Sequence, residues 1–148
     1  MTGLAYVRFA PGDQPVSVPE GAKAGDLTLQ ACDYPTEKGD VAADCGTLVV
    51  PETRADPGSR LIALPVTRIR TTSEATGPPV FFLTGGPGVS NMDFDIANRF
   101  ATDRDFVMVG YRGVDGSQRL DCPEVDSAIK RASDVLDEES FRAYAEAY

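Results

Sequence analysis

The sequence predicts an α/β fold, and three observations carry that expectation. Val80-Phe81-Phe82-Leu83 is an apolar run with the length and composition of a fully buried strand. It stops at Thr84-Gly85-Gly86-Pro87-Gly88, a turn through which neither strand nor helix can continue. A second apolar run, Asp105–Tyr111, follows a segment with helical spacing, so the two runs would be parallel strands of a right-handed βαβ unit. Buried strand, glycine-rich turn and helix, in that order, is how open α/β sheets build a site at the carboxyl ends of their strands.

Taken in order, residues 1–25 are rich in Pro and Gly and read as an extended arm, with one short strand at Ala5–Phe9. Leu27–Tyr34 reads as a strand, Pro35–Asp44 as a polar loop, and Cys45–Pro51 as a second strand ended by its proline. Arg54-Ala55-Asp56-Pro57-Gly58 is a turn. Arg60–Arg70 reads as a long strand with Ile62, Leu64 and Val66 on one face, and Pro65 within it suggests an edge or a bulge. Phe94–Thr102 is a helix candidate, with Phe94, Ala97 and Phe100 or Ala101 at helical spacing. Residues 26–122 would thus form the core. Residues 123–148 form a helical segment. Pro123 suits a first helical position, and Val125, Ala128, Ile129, Ala132, Val135 and Leu136 form an apolar stripe. A second helix starts near Asp137, with Phe141, Tyr144, Ala145 and Tyr148 on one face, and is expected to continue past Tyr148.

Composition excludes several function classes. The 148 residues carry 14 basic and 23 acidic side chains, a formal net charge of −9. That argues against a nucleic-acid partner or an anionic membrane surface. No apolar run approaches the ~20 residues that span a bilayer. Residues 1–11 lack the basic start and apolar core of a signal peptide, and a secreted protein whose leader has been removed is favoured over a cytoplasmic one. The chain has no histidine, so it cannot assemble a Ser-His-Asp triad or a histidine-bearing zinc site by itself.

Of the three cysteines, Cys32 and Cys45 flank the polar loop. Either they pair across a hairpin, which would add roughly 3 kcal/mol in the chain-entropy account, or they are two free thiols. Their spacing is not that of a metal motif, and Cys122 is left odd.

The stretch Thr84-Gly85-Gly86-Pro87-Gly88 resembles the H-G-G-P-G turn of the prolyl aminopeptidases (proline iminopeptidases) and their tripeptidyl aminopeptidase relatives, serine peptidases of the α/β-hydrolase fold. In that family the next strand usually ends in R-G-x-G-x-S. Arg112-Gly113-Val114-Asp115-Gly116-Ser117 is similar, with one residue inserted. Thr84 stands where the family has His. The resemblance runs from about Leu27 and implies the amino-terminal part of an α/β-hydrolase fold, incomplete: antiparallel first strands leading into a parallel sheet with flanking helices. Cys122-Pro123-Glu124 matches a family motif whose cysteine commonly pairs with one further along the chain.

The resemblance also implies the chemistry. The family's nucleophile sits in G-x-S-x-G. Neither Ser90 nor Ser117 has that context, so nucleophile, acid and histidine would lie outside this chain. What the chain would hold is half an oxyanion hole. Gly86 would supply its N–H, supported by Gly85, Pro87 and Gly88, with Gly86–Pro87 a candidate cis bond. Arg112 would hold the active-site floor through backbone carbonyls or a carboxylate, or else be a surface salt-bridge residue. The implied partners are a peptide with a free amino terminus and the remainder of the hydrolase domain or a second chain. No metal or cofactor is implied.

Three other readings are open. Esterase or lipase chemistry would use the same turn. Gly86-x-Gly88-x-x-Asn91 resembles a dinucleotide fingerprint, but its third glycine is missing and no acidic residue ends the next strand. A noncatalytic interaction module would leave the strand at Val80–Leu83 as an exposed edge in need of a partner.

Overall fold

The computed structural model of the chain describes residues 16–74, 77–86, 88–131 and 137–147. Five strands form one mixed sheet: β1 (Leu27–Thr36), β2 (Gly39–Pro51), β3 (Leu61–Ile69), β4 (Val80–Phe82) and β5 (Phe106–Val109). The strand order is β1-β2-β3-β5-β4. The first three strands and β5 are joined by antiparallel pairings, and β4 and β5 form the sheet's parallel pair. Two helices follow, α1 (Pro123–Arg131) and α2 (Glu138–Ala147). Among the described residues their main packing is against each other.

This corrects the expected architecture. The described residues form a small sheet-rich domain, not an α/β-hydrolase segment with a parallel sheet and flanking helices. The helix expected over Phe94–Thr102 is a single 3-10 turn at Ala97–Arg99. Its length is below the ~12 residues at which helices become stable alone, and Asp, Asn and Phe are poor helix formers. The phenylalanines satisfy their spacing in another way. Phe94 stacks on Phe82 with ring centroids 4.2 Å apart, and Phe94 and Phe100 both meet Phe106 at 5.7–5.8 Å. Ring packing, not a helix, covers that part of the sheet.

The antiparallel half is longer than the sequence suggests. The polar loop at Pro35–Asp44 is mostly strand, and β1 and β2 meet in a tight hairpin with Thr36 opposite Gly39. Gly39 takes φ +106°, which an L side chain resists, and the Thr36 hydroxyl donates to its carbonyl at 2.7 Å. Asp40 and Ala42 are polar or small because this end of the hairpin is exposed. Pro65 marks a local edge, not a bulge. It lies within β3 opposite Thr47, just past the end of the β5 pairing, so its donorless nitrogen costs no ladder bond there, and its carbonyl accepts the Gly110 N–H at 2.9 Å.

The main buried cluster lies on one sheet face, while Ile62, Leu64 and Val66 are buried on the other face of β3. The pairing register places Cys32, Tyr34, Ala43, Cys45, Ile69, Phe106 and Met108 together, under Met92, Ala97 and Ala101. Cys32 and Cys45 form a disulfide with Cα atoms 5.8 Å apart. The buried Tyr34 hydroxyl donates to the Met92 carbonyl at 3.0 Å and accepts the Phe94 N–H at 2.9 Å. Burial pushes its pKa up, so it stays a neutral pin that ties the covering segment to β1.

The run at Val80–Leu83, expected to be fully buried, lies on the outer edge of the sheet, with Phe81 62% and Leu83 75% exposed. An apolar run reports composition, not the number of neighbours, and among the described residues β4 has a strand on one side alone. The strand at Ala5–Phe9, Pro87, the stripe residues Ala132, Val135 and Leu136, and Tyr148 lie outside the described residues.

Candidate functional site

Because β4 and β5 are parallel and in register, with Phe82 opposite Met108, their carboxyl ends open on the same side of the sheet. Asn91 closes that opening. It is fully buried, and its amide Nδ2 donates to the carbonyls of Phe82 at 3.0 Å and Val109 at 2.7 Å, one at the end of each strand. Its Oδ1 accepts the Thr84 N–H at 2.9 Å. The Tyr111 hydroxyl donates to the Thr84 carbonyl at 2.8 Å. Asp115, also buried, accepts from the Tyr111 N–H at 2.9 Å, the Asn91 N–H at 3.1 Å and the Ser90 hydroxyl at 2.7 Å. Three donors satisfy the oxygens of this buried side chain.

The glycine turn hangs from this assembly. Gly86 has φ +103° and Gly88 φ +74°, backbone conformations that glycine tolerates and other residues resist. A Cβ on Gly86 would meet Val89 Cγ2 at 3.0 Å. The Val89 N–H donates to the Gly86 carbonyl at 3.3 Å, which closes the turn. Gly85 and Gly86 are exposed, and among the described residues no group accepts from their N–H groups. Backbone donors left open to solvent at a strand's carboxyl end can take a negatively charged oxygen.

The loop after β5 is fitted just as closely. A Cβ on Gly110 would fall 2.6 Å from Asp115 Cβ, and one on Gly116 2.3 Å from the Ala63 carbonyl oxygen. Ser117 donates its N–H to the Ala63 carbonyl at 3.0 Å and accepts the Ala63 N–H on its Oγ at 2.7 Å. The two serines of the motifs are therefore committed to main chain or to Asp115. Arg112 binds backbone carbonyls, those of Pro51 and, at 3.1 Å, Glu52, and so ties this loop to the end of β2. Glu52 gives its carboxylate to Arg60.

Away from the turn, Asp44 of β2 is buried and bonded by both Arg68 and Arg70. Arg70 first, then Arg68, hold its carboxyl down at about 2 against burial. Cys122 is an exposed free thiol. Among the described residues no cluster of His, Cys, Asp and Glu could hold a metal ion, and no helix is long and apolar enough to cross a membrane.

Gly85, Gly86 and Gly88 thus sit in one exposed turn, with Arg112 on a separate loop that braces β2 and the disulfide at the other side of the sheet. Sequence reasoning missed Asn91, Tyr111 and Asp115. Asn91 read as the failed third position of a nucleotide fingerprint, and Tyr111 as the last residue of an apolar run. The one available signal was three polar-capable side chains just beyond the carboxyl ends of two apolar runs, where strand-end carbonyls need donors. No protein-family model matches this chain, and no curated protein matches it.

Proposed function

We propose that the chain supplies the oxyanion-binding turn of a serine hydrolase, an aminopeptidase acting on peptides with a free amino terminus. The nucleophile, acid and histidine would come from polypeptide outside these 148 residues. The observation that carries the reading is the exposed Gly85–Gly86 turn at the carboxyl end of β4, its donors unspent among the described residues and its entry held by Asn91 and Tyr111. Its residues resemble the corresponding turn of the prolyl and tripeptidyl aminopeptidases. In the proposed reaction a serine attacks the carbonyl, negative charge gathers on the oxygen, and the Gly86 N–H donates to it. Losing one such donor typically costs about 2.7–4 kcal/mol of transition-state stabilisation. The same turn would serve an ester equally well.

The test is made on the protein from its native source. Intact mass and co-purification should reveal polypeptide carrying a G-x-S-x-G serine and a histidine. A fluorophosphonate should label that serine, and aminoacyl-prolyl substrates should be cleaved faster than short esters. Absence of both labelling and hydrolysis would sink the reading. Faster ester cleavage would keep the hydrolase and change the substrate.

A second reading has its own support. β4 is the outer strand of the sheet among the described residues, and Phe81 within it and Leu83 just past its end are exposed and apolar, a surface of the kind that pairs with another strand. An interaction module would use that edge and leave the turn idle.

A further inference from the structure

The geometry assigns Asn91 and Tyr111 a joint role as positioning residues, which fix the direction of the Gly85 N–H and so the backbone from which the turn reaches Gly86. The purpose of that role rests on the oxyanion reading; the geometry does not. A trans peptide is planar, so its N–H points opposite to its carbonyl. The Tyr111 hydroxyl holds the Thr84 carbonyl at 2.8 Å and so sets the plane whose other end is the Gly85 N–H. Asn91 Oδ1 holds the Thr84 N–H at 2.9 Å and so sets the plane before it. Two consecutive planes are therefore fixed immediately ahead of the glycines, by side chains that arrive from two different segments.

Neither side chain is itself free to drift. Asn91 is anchored through Nδ2 to both strand ends. The backbone N–H groups of Asn91 and Tyr111 donate to the same oxygen, Asp115 Oδ2, at 3.1 and 2.9 Å. One buried carboxylate aligns two residues, and those two align one amino acid, Thr84. Satisfying buried polar groups would not require this. Thr84 is only half-buried, so water could serve its N–H and carbonyl. Adjacent glycines are the residues that most need an external brace, because their backbone has the most freedom to lose.

The chain labelled with ¹⁵N provides the test. Tyr111→Phe removes one hydroxyl and keeps the ring. Ser90→Ala removes another hydroxyl from the same network but touches no atom of Thr84. In Tyr111→Phe the Gly85 order parameter should fall from the rigid range, about 0.85, to below about 0.6. Val107 and Met108 should exchange their amides within about twofold of the parent rate, as sheet residues outside the turn. In Ser90→Ala the Gly85 value should hold. An unchanged Gly85 in Tyr111→Phe overturns the assignment, and so does equal loosening in both variants. If the native-source protein hydrolyses its substrate, Tyr111→Phe should also lower kcat about tenfold with KM unchanged, as misaimed donors act on the transition state. A loosened Gly85 in a protein that hydrolyses nothing keeps the positioning role and removes the hydrolase reading.

Discussion

β1, β2 and β3 run for 10, 13 and 9 residues, whereas β4 and β5 run for 3 and 4. The long strands hold one another through a continuous main-chain ladder, reinforced by the Cys32–Cys45 disulfide and by Arg68 and Arg70 on Asp44. The short pair has little ladder to share. Its ends are held by side chains bonded to main chain, from Asn91, Tyr111 and Asp115. The first arrangement distributes stability over many equivalent bonds. The second concentrates it in a few side chains and gains a defined backbone direction at one place. A ladder suits a scaffold, and a clamp suits a site.

Mutations should separate the two halves. The largest effect is expected from Gly46→Ala, since a Cβ there would lie 1.7 Å from the Thr28 carbonyl oxygen of the neighbouring strand. β1 would have to part from β2, at a cost of about 3 kcal/mol or more, read by urea denaturation with loss of β-sheet circular dichroism. Replacing both Cys32 and Cys45 by Ser should cost about 2–4 kcal/mol in the same measurement, with the sheet retained. Asn91→Ala should cost about 2 kcal/mol, by leaving strand-end carbonyls without their donor. Its signature is local. Amide exchange should speed up in β4 and the glycine turn and hold in β1 and β2, and uniform acceleration would mean the halves are not separable.

The smallest effect concerns pH. The folded Asp44 carboxyl lies at about 2, below its unfolded value of about 3.9. A depressed carboxyl contributes stability that is present above its unfolded pKa and lost as pH falls through the folded one. Stability should therefore drop between about pH 4 and about pH 2, and Asp44→Asn should flatten that limb. At neutral pH the variant should cost about 1 kcal/mol, since both arginines are about half exposed and water screens them. An acid limb that survives in Asp44→Asn would assign it to other carboxylates.

The long half was largely legible in the sequence. Leu61–Ile69 is a mostly buried strand, with Ile62, Ala63 and Leu64 buried in a row, and Pro51 and Pro57-Gly58 punctuate the chain where strands end. Only the hairpin was misjudged, because Asp40 and Asp44 look like loop residues, yet Asp40 is exposed and Asp44 is paid in arginine. In the short half the glycines announced the turn, since few other structures need them so closely spaced. The clamp did not announce itself. Asn91, Tyr111 and Asp115 meet through the parallel register of β4 on β5, and no local spacing encodes a meeting across 24 residues. The Phe94–Thr102 helix failed for a related reason: helical spacing of phenylalanines fits ring stacking on Phe82 and Phe106 just as well.

The disulfide has a practical side. The Glu37–Lys38 turn is the exposed tip of the hairpin, open to a protease that cuts after lysine. A cut there would separate Cys32 from Cys45 along the chain while the bond between them kept both pieces together. The nicked protein would run as one band without reductant and as two with it. Every β1–β2 contact outside the tip would survive in solution, so a preparation could be clipped throughout and still look whole until thiol was added.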